Sequence, residues 1–393
     1  MGSPIIVLFG DPAGIPQVLR VLLPGLFSAL VGAETRPDQH EELRSLARKY
    51  GLPLLIQPRP DAPAYPAFEQ QLRALVPDLI LVNSYSMRLE SELLAIPRLG
   101  AVNIHGGLLP EYRGSNPIQW VLLNNGTETG VTMHYMVAKF DAGDIIAQRR
   151  VPVYFEDTWR DVQARLGAAA ETMLAEEVPK LLAGASTRQP QDGLRARYFR
   201  RRKPEDGQID WRQSVLSIYN LVRALVKPHP GAFYYTGSRK VVLDEYLTIP
   251  KVTALKYHPM EGGQRLAARH VELVPPLDGN QQRNDAVVFG IRRVGAERLI
   301  GACHLDNIDY VGCHGKALVW FEEPPEGADD LVPEAVRLLL GFAFEELNLE
   351  RVDVCEADAV EAILRACEKI GFVTDQGVSG AVMRIRRYEY AGR

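Results

Sequence analysis

The chain has 393 residues, of which 46% are hydrophobic and 24% are charged, and its formal net charge is −4. This composition is typical of a globular protein with two or three domains, and the charge gives no support for a nucleic-acid-binding surface. No apolar run is long enough to span a membrane, and the start, Met1-Gly-Ser-Pro-Ile-Ile6, lacks both the charges of a signal peptide and the Ser or Thr that myristoylation requires. We therefore expect a cytoplasmic protein without nucleic-acid or membrane partners.

The first 190 residues alternate strand-like and helix-like segments. Short runs such as Asp78-Leu-Ile-Leu-Val82 are apolar throughout, which is the pattern of strands buried on both faces. Such alternation predicts an α/β domain with a mostly parallel sheet, and ligands bind such sheets beyond the carboxyl ends of the strands. In chain order we predict a strand at 4–9, a helix from about Pro16, a helix at 41–50, a strand at 54–56, a helix at 67–76, a strand at 78–82 and a closing helix around 158–183.

A polar pair ends the next predicted strand, Leu99-Gly-Ala-Val-Asn-Ile-His105. The side-chain period of two places Asn103 and His105 on one face at the end of this strand. An amide donor beside a titratable imidazole is half of an acyl-transfer site, and a carboxylate that orients the imidazole would complete it. Asp141, in a Gly-containing loop between two strand-like runs, is the candidate, and Asp144 of the same loop is its rival.

Longer motifs surround these three residues. They are Asn103-Ile-His105, Leu108-Leu-Pro-Glu-Tyr-Arg-Gly-Ser-Asn-Pro-Ile-Gln-Trp120, Glu128-Thr-Gly-Val-Thr-Met133 and Asp141-Ala-Gly-Asp144. In this order and spacing they resemble the folate-dependent formyltransferases that act on glycinamide ribonucleotide, methionyl-tRNA or nucleotide sugars. The resemblance implies a Rossmann-like domain with 10-formyltetrahydrofolate as co-substrate and no metal. It assigns the general base to His105, oxyanion stabilisation to Asn103 and orientation of the imidazole to Asp141, which immediately precedes x-Gly.

The resemblance also implies binding residues. The segment 81–89 matches the family's pterin-binding loop, in which backbone groups read the edge of the ring. Leu108-Leu-Pro110 could form a wall of the folate pocket or be plain packing, and a basic run such as 200–203 is more often solvated than functional. The candidate folate contacts are Ser84, Tyr85, Ser86, Met87, Leu89, Leu109 and Asp144, and the candidate substrate contacts are Tyr112, Arg113, Trp120, Arg201 and Lys203.

A second module at 191–262 follows this domain. It contains a predicted helix at 214–226 and a hairpin-like segment at 231–243. The same order of features is found in formyltransferases of nucleotide-linked amino sugars, and the resemblance is to the UDP-4-amino-4-deoxy-arabinose enzymes, with the dTDP and UDP carriers left open. Family members commonly form homodimers through this module, so we expect a homodimer.

Features that this sequence lacks narrow the range of amines that could accept the formyl group. The tRNA enzymes insert a basic, Gly-rich loop after their Thr-x-Pro, whereas here Thr35-Arg-Pro37 runs directly into Asp38-Gln-His-Glu-Glu42. The glycinamide ribonucleotide enzymes have a single domain and lack the second module. A nucleotide-linked amino sugar is therefore the expected substrate. The alternative is a small amine or hydroxylamine, such as a hydroxyornithine, which predicts no affinity for nucleotides.

The last part, 263–393, has a different pattern. Three successive strand-like runs, a helix, a strand and a helix ending in Lys369-Ile-Gly-Phe372 resemble the later part of the GNAT acetyltransferase fold. Where that fold binds acyl-CoA pyrophosphate, this chain has Glu322-Glu-Pro-Pro-Glu-Gly-Ala-Asp-Asp330, whose prolines lack donors and whose carboxylates repel phosphate. We predict a GNAT-like α+β domain without acetyltransferase activity, which binds or dimerises.

All four cysteines lie in the last hundred residues, at positions 303, 313, 355 and 367. In a large chain without an export signal we expect them to be reduced. Cys303-His304 and Cys313-His314 suggest a metal site, but neighbouring side chains on a strand face opposite ways, so at most half of these groups could converge. No metal is expected.

Overall fold

The computed structural model describes residues 4–257, 265–275, 283–321, 328–355, 361–375 and 382–391. They form two compact units, one ending at Lys203 and the other beginning at Pro204. None of the helices in these ranges is long and apolar enough to cross a membrane. The segment at 322–327, part of the predicted pyrophosphate turn, lies outside the described residues.

The first unit alternates strands and helices as the sequence predicts. Its elements are β1 (Ile6–Gly10), α1 (Gly14–Val21), β2 (Phe27–Ala33), α2 (His40–Tyr50), β3 (Leu54–Gln57), α3 (Tyr65–Ala74), β4 (Leu79–Asn83), α4 (Ser91–Leu94), β5 (Ala101–His105), β6 (Arg113–Gly114), α5 (Pro117–Leu123), β7 (Glu128–Tyr135), β8 (Ile145–Pro152), α6 (Trp159–Leu182) and β9 (Tyr198–Phe199). Short 3₁₀ turns lie at Pro24–Leu26 and Pro37–Gln39.

Seven of these strands form one sheet in the order β3-β2-β1-β4-β5-β7-β8. The first five run parallel, and β7 and β8 add to the edge in antiparallel fashion. The central strands β1 and β4 are buried along their whole length and carry no polar side chain except Asn83 at the end of β4, as expected for strands that helices cover. The predicted α/β fold with a mostly parallel sheet is confirmed.

One face of this sheet packs on α3. Alternate residues of the strands, such as Val7 and Phe9 of β1 and Val31 of β2, meet Phe68 and Leu72 of the helix in one buried cluster. Their period of two on the strands and of about four on the helix is what brings these side chains to a common core. The carboxyl ends of β1, β4 and β5 therefore lie on a closely packed apolar layer.

The closing helix α6 begins where the sequence provides a cap. The Thr158 side chain and Asp161 form a capping box that satisfies backbone N–H groups at the helix start. The helix ends before Gly184, whose φ of +70° suits glycine and breaks the helical path. The predicted bounds of about 158–183 agree with the observed Trp159–Leu182.

The second unit begins with a helix and a hairpin and continues into a larger sheet. Its elements are α7 (Val215–Ala224), β10 (Ala232–Thr236), β11 (Arg239–Leu243), α8 (Ile249–Tyr257), β12 (Leu266–Ala267), β13 (Val271–Val274), β14 (Val287–Arg293), β15 (Leu299–Asp309), β16 (His314–Phe321), α9 (Ala328–Gly341), β17 (Arg351–Cys355), α10 (Glu361–Ile370), β18 (Val373–Asp375), β19 (Val382–Arg386) and α11 (Arg387–Ala391). A 3₁₀ turn at Pro204–Gly207 precedes α7, and a π-helical turn, Phe342–Glu346, continues α9.

The larger sheet has the strand order β12-β13-β14-β15-β16-β17-β19-β18. Among the described strands of this sheet, neighbouring strands run antiparallel except β16 and β17, which run parallel. In sequence, α9 lies between these two parallel strands. The three antiparallel strands, the helix and the strand that the sequence predicts in this region are present. The hairpin β10–β11 is present as well.

A buried ion pair holds the π-helical turn against α7 and α8. The Lys256 side chain is 1% exposed, and its Nζ lies 2.7 Å from both carboxylate oxygens of Glu346. The same carboxylate accepts hydrogen bonds from the Tyr257 hydroxyl and from the backbone N–H of Val215 at the start of α7. Because the Lys256 ammonium is almost fully buried, the loss of the Glu346 carboxylate would leave it without an opposite charge.

We expect Glu346→Gln to lower the free energy of unfolding by about 3–5 kcal/mol, the usual effect of breaking a buried ion pair. Denaturant unfolding of the purified variant measures this change. The matched control is Glu345→Gln, which removes the same charge from the exposed neighbouring position and should stay within about 0.5 kcal/mol of the wild type. Equal effects of the two substitutions would contradict the role given to the ion pair.

Candidate active site

Two neighbouring strands assemble the polar centre of the first unit. In the antiparallel pair β5–β7, Asn103 lies opposite His134 and His105 lies opposite Thr132. Alternate residues of a strand share a face, so all four side chains lie on the same side of the sheet at the carboxyl end of β5. This is the edge at which the sequence places the site.

His105 is 7% exposed and is held by a backbone carbonyl. Its Nε2 lies 2.6 Å from the carbonyl oxygen of Tyr112. Because a carbonyl can only accept a hydrogen bond, Nε2 carries the proton in the neutral ring, and Nδ1 keeps its lone pair. Burial lowers the pKa of His105 below the ordinary imidazole value, and the negative charge of Asp141 opposes this shift. The ring is therefore a neutral base at neutral pH.

Asp141 approaches His105 from the loop between β7 and β8. Its Oδ2 lies 3.9 Å from Nδ1 of His105 and accepts a hydrogen bond of 2.8 Å from the backbone N–H of Gly114. Burial on its own raises the pKa of Asp141, but the rings of His134 and His105 and the Gly114 N–H outweigh it and lower the pKa to about 2. The group is a carboxylate throughout the physiological range.

The contact between Asp141 and His105 differs from the expectation. The resemblance implies that the carboxylate accepts a hydrogen bond from the imidazole, whereas 3.9 Å is beyond hydrogen-bond distance. The reason is that Asp141 is bound to Gly114, with its other oxygen 3.6 Å from Nε2 of His134, while the Tyr112 carbonyl orients His105. A proton that arrives on Nδ1 would lie directly beside the carboxylate.

His134 is a member of this centre that the sequence interpretation missed. Its Nδ1 donates to the carbonyl of Tyr135 at 2.9 Å, so its Nε2 is free to accept from the side-chain amide of Asn103 at 3.2 Å. This bond fixes which end of the Asn103 amide is the donor and leaves the second N–H for another acceptor. Thr132 and His134 are alternate residues of β7, so their side chains share one face. This period of two is the signal from which the sequence could have identified His134.

Gln191 holds the loop that carries Asp141. Its amide nitrogen donates to the carbonyl oxygens of Asp141 and Gly143, at 2.9 and 2.7 Å. Its amide oxygen accepts from Nε and Nη2 of Arg113, at 3.0 and 2.7 Å. Asp141 has a φ of +50°, a conformation that non-glycine residues adopt only when their surroundings impose it. Gln191 is part of that support, and no local sequence pattern marks it.

Arg113, predicted to contact the substrate, is 5% exposed. Besides the two bonds to Gln191, its Nη1 donates to the hydroxyl of Tyr198 at 3.2 Å. These internal bonds use three of its five N–H donors and connect Arg113 to the Asp141 loop, and its expected contact with a nucleotide stays a prediction. The neighbouring Gly114 has a φ of +99°, and a Cβ there would overlap the carbonyl oxygen of Phe199.

The other predicted substrate residues surround the segment 198–203. Tyr112 and Trp120 both pack on Phe199, with ring centroids 5.2 and 5.1 Å away, and the indole N–H of Trp120 donates to the carbonyl of Arg200. This contact places the basic residues of the segment at the protein surface. Arg201 and Lys203 are exposed there.

The predicted folate loop follows β4. Ser84 and Ser86 are exposed, Met87 is half-buried, and Ser84 has a φ of +55°. The side chains of Leu89 and Leu109 are buried, so only their backbone groups could meet a ligand. The backbone carbonyl of Asp144 accepts from Tyr135, and the Tyr85 hydroxyl is bound within the protein. The contact of this loop with the folate therefore stays a prediction.

The chain matches two models of one family in sequence. Residues 31–178 match the formyl transferase family, and residues 201–268 match the C-terminal domain of formyl transferases. Together the two matches span more than half of the chain, in the order expected for a single enzyme. The protein is a formyltransferase.

Two of the similar solved structures, with TM-scores above 0.5, share this fold. A sugar N-formyltransferase from a Shewanella species has a TM-score of 0.52 at 19% identity, with 63% of this formyltransferase and 98% of that chain covered. A 4-N formyltransferase from Francisella tularensis has a TM-score of 0.51 at 17% identity, with 63% and 99% covered. An N-formyltransferase from Helicobacter canadensis, solved with folinic acid and dTDP-3-aminofucose, has a TM-score of 0.48 at 16% identity, with 75% and 100% covered.

In a pH titration of the His105 ring followed by NMR, we expect a midpoint below the ordinary imidazole pKa of about 6.5. Asp141→Asn should lower the midpoint further, because the carboxylate that opposes the effect of burial has lost its charge. His105→Gln serves as the control that assigns the resonance. A midpoint above that of a free imidazole, or a higher midpoint in Asp141→Asn, would contradict the geometry.

The same shift has a consequence for stability. Below about pH 6.5, His105 is protonated in the unfolded chain but still neutral in the folded protein. The unfolded state therefore binds more protons, and the free energy of unfolding falls as the pH drops. Asp141 acts in a lower window, since its stabilising contribution is lost only as the pH falls from about 4 towards its folded pKa of about 2.

Proposed function

We propose that this formyltransferase moves a formyl group from 10-formyltetrahydrofolate to the amine of a nucleotide-linked amino sugar. The observation that carries the proposal is the convergence of Asn103, His105 and the ionised Asp141 at one edge of the sheet. These side chains are a hydrogen-bond donor, a neutral base and a fixed negative charge. Together they meet the requirements of acyl transfer to an amine.

The reaction needs a free amine, a polarised carbonyl and a proton for the departing folate nitrogen. In the proposed mechanism the amine attacks the formyl carbon, and the second N–H of Asn103 donates to the oxygen that becomes negative. His105 takes the amine proton on Nδ1, where Asp141 stabilises the imidazolium. The bond from the formyl carbon to the folate nitrogen then breaks, and the proton passes to that nitrogen. Atoms and charge balance without a metal.

The nature of the acceptor is proposed from the second matched segment and from the surface around Trp120. The segment 201–268 includes the helix α7 and the hairpin β10–β11, a module that the resemblance associates with nucleotide-sugar enzymes. Arg201 and Lys203 are exposed beside the aromatic contact of Trp120 with Phe199, and guanidinium and ammonium groups suit a diphosphate. The carrier, dTDP or UDP, is left open.

We also propose a homodimer that pairs through this module, as the resemblance implies, and the cytoplasm as its location. Tyr235 and Val242 are exposed on the hairpin β10–β11 and could take part in such a contact.

The competing acceptor is a small amine or hydroxylamine, and nucleotide binding separates the two hypotheses.

The first test is thermal stabilisation of the purified protein by 5-formyltetrahydrofolate, dTDP and UDP, each added separately. A ligand present at about a hundred times its dissociation constant adds roughly 2.7 kcal/mol of stability. We expect shifts with the folate and with one nucleotide. A folate shift without any nucleotide response would favour the small-amine alternative, and the absence of a folate shift would refute the proposed co-substrate.

Two substitutions test the mechanism in a steady-state assay of formyl transfer from 10-formyltetrahydrofolate to the acceptor amine. Asn103→Ala should lower kcat by about 10²–10³-fold, the usual effect of removing one oxyanion donor, and His105→Ala by about 10²–10⁴-fold. Asn124→Ala, an exposed position just after α5, is the matched control and should retain the wild-type kcat.

We further propose that the part at 263–393 is a GNAT-like domain without acetyltransferase activity, within a three-domain chain of 1–190, 191–262 and 263–393. The topology supports the likeness, because parallel β16 and β17 are joined by α9, and β19 lies between β17 and β18. Residues 191–203 belong to the first compact unit, to which Gln191 and β9 connect them. The boundary between the two units in the sequence therefore lies thirteen residues after the proposed one.

Acetyl-CoA tests this assignment directly. We expect titration calorimetry of the purified protein with acetyl-CoA to show no binding, because prolines remove backbone donors from the predicted turn at 322–330 and its carboxylates repel pyrophosphate. The titration with 5-formyltetrahydrofolate is the positive control on the same sample. Measurable heat from acetyl-CoA would contradict the non-catalytic assignment.

A further inference from the structure

A fully buried glutamine lies behind the predicted folate loop. Gln57 ends β3, its exposure is 0%, and it follows the apolar residues Leu54-Leu-Ile56. An amide at such a position costs free energy unless both of its ends are hydrogen-bonded, whereas an apolar side chain would bury without that requirement. The hydrogen-bond partners of Gln57 therefore indicate the role of its polar side chain.

Both ends of the Gln57 amide bind the loop between β4 and α4. Its Oε1 accepts a hydrogen bond of 2.8 Å from the Tyr85 hydroxyl, and its Nε2 donates one of 3.0 Å to the backbone carbonyl of Arg88. The two partners lie near the two ends of the segment 84–89. A single side chain thus connects both ends of this segment, which begins at Ser84 with a φ of +55°.

The ring of Tyr85 is fixed independently of its hydroxyl. It meets Phe9 edge to face, with centroids 5.4 Å apart, and packs against the core cluster under α3. The hydroxyl also lies 3.3 Å from the carbonyl oxygen of Gly32. Removing only the hydroxyl would therefore keep the ring in place and break its connection to Gln57.

Arg88 extends the network to the loop of Asp141. Its Nη2 donates to the carbonyl of Ala138 at 3.1 Å, and its guanidinium carbon lies 5.8 Å from the centroid of the Phe140 ring. Phe140 directly precedes Asp141. Arg88 thus contacts both loops, while Asp141 itself is held separately by the Gly114 N–H and by Gln191.

We infer that Gln57 is a positioning residue that holds the segment 84–89 in the conformation that binds the pterin of the formyl-folate. The inference rests on the proposed function. If a binding-competent loop conformation is only partly populated, the apparent dissociation constant rises by the inverse of that fraction. Loss of Gln57 should therefore weaken folate binding and leave the chemistry of His105 unchanged.

The test compares Gln57→Leu and Tyr85→Phe with the wild type. Calorimetry with 5-formyltetrahydrofolate should show binding about tenfold weaker in Gln57→Leu and roughly threefold weaker in Tyr85→Phe, in line with the loss of two and of one neutral hydrogen bonds. The KM for 10-formyltetrahydrofolate should rise by the same factors. At saturating folate, kcat and the KM for the amine should stay at wild-type values.

The matched control is Tyr65→Phe. Tyr65 packs in the same cluster as Tyr85, but its buried hydroxyl has no hydrogen-bond partner among the described residues. The change removes the same atom without breaking a bond, and folate binding should stay at the wild-type value. Equal losses in Tyr65→Phe and Tyr85→Phe would overturn the inference, because the effect would then be a general response of the cluster.

The wild-type titration separates the inference from the proposed function. Folate binding by the wild type, together with unchanged binding in Gln57→Leu and Tyr85→Phe, would overturn the positioning role and leave the proposed co-substrate intact. No folate binding by the wild type would overturn the proposed co-substrate itself. If Gln57→Leu does not fold, Tyr85→Phe still decides the question, since it keeps the packed ring.

Discussion

The antiparallel pairing of β5 with β7 is the constraint on which the rest of the site depends. It sets Asn103 opposite His134, and it also positions the loop that leaves β7 and returns Asp141 towards His105. A shift of the pairing by one residue would turn the polar side chains of either strand to the opposite face. The loop is equally constrained, since a Cβ on Gly143 would overlap the carbonyl oxygen of Tyr135. The position of Asp141 relative to His105 thus depends on the strand register and on the loop shape together.

Burial gives this arrangement its electrostatics. Removing an imidazole from water disfavours its charged form, whereas a carboxylate that accepts a backbone N–H beside two imidazoles stays ionised. The structure uses both effects within 4 Å, between His105 and Asp141. The result is an uncharged base next to a permanent negative charge, so a proton taken up by the base is stabilised at the place where it arrives.

Local patterns predicted the parts of the molecule that are themselves local. The apolar runs of β1 and β4, the bounds of α6 and the alternation that places Asn103 beside His105 all follow from patterns within a few neighbouring residues. What could not be predicted depends on partners distant in sequence. Gln191 bonds to Arg113 and to the Asp141 loop across 78 and 50 residues, and Gln57 reaches Arg88 across 31. A glutamine in a loop or at the end of a strand carries no periodic signal, and its role depends on which carbonyls the fold brings within reach.

The bonds of Gln191 change what counts as the smallest working piece of this enzyme. All three proposed catalytic side chains precede residue 142, and the long helix α6 ends at Leu182, so a fragment cut near residue 190 would contain the whole reaction chemistry. It would lack the glutamine that holds the Asp141 loop and the short strand β9 that pairs with Arg113 and Gly114. Residues 191–199, which the sequence analysis assigns to the second module, are therefore the last structural component of the catalytic unit, and any excised or transplanted version must extend at least through Phe199.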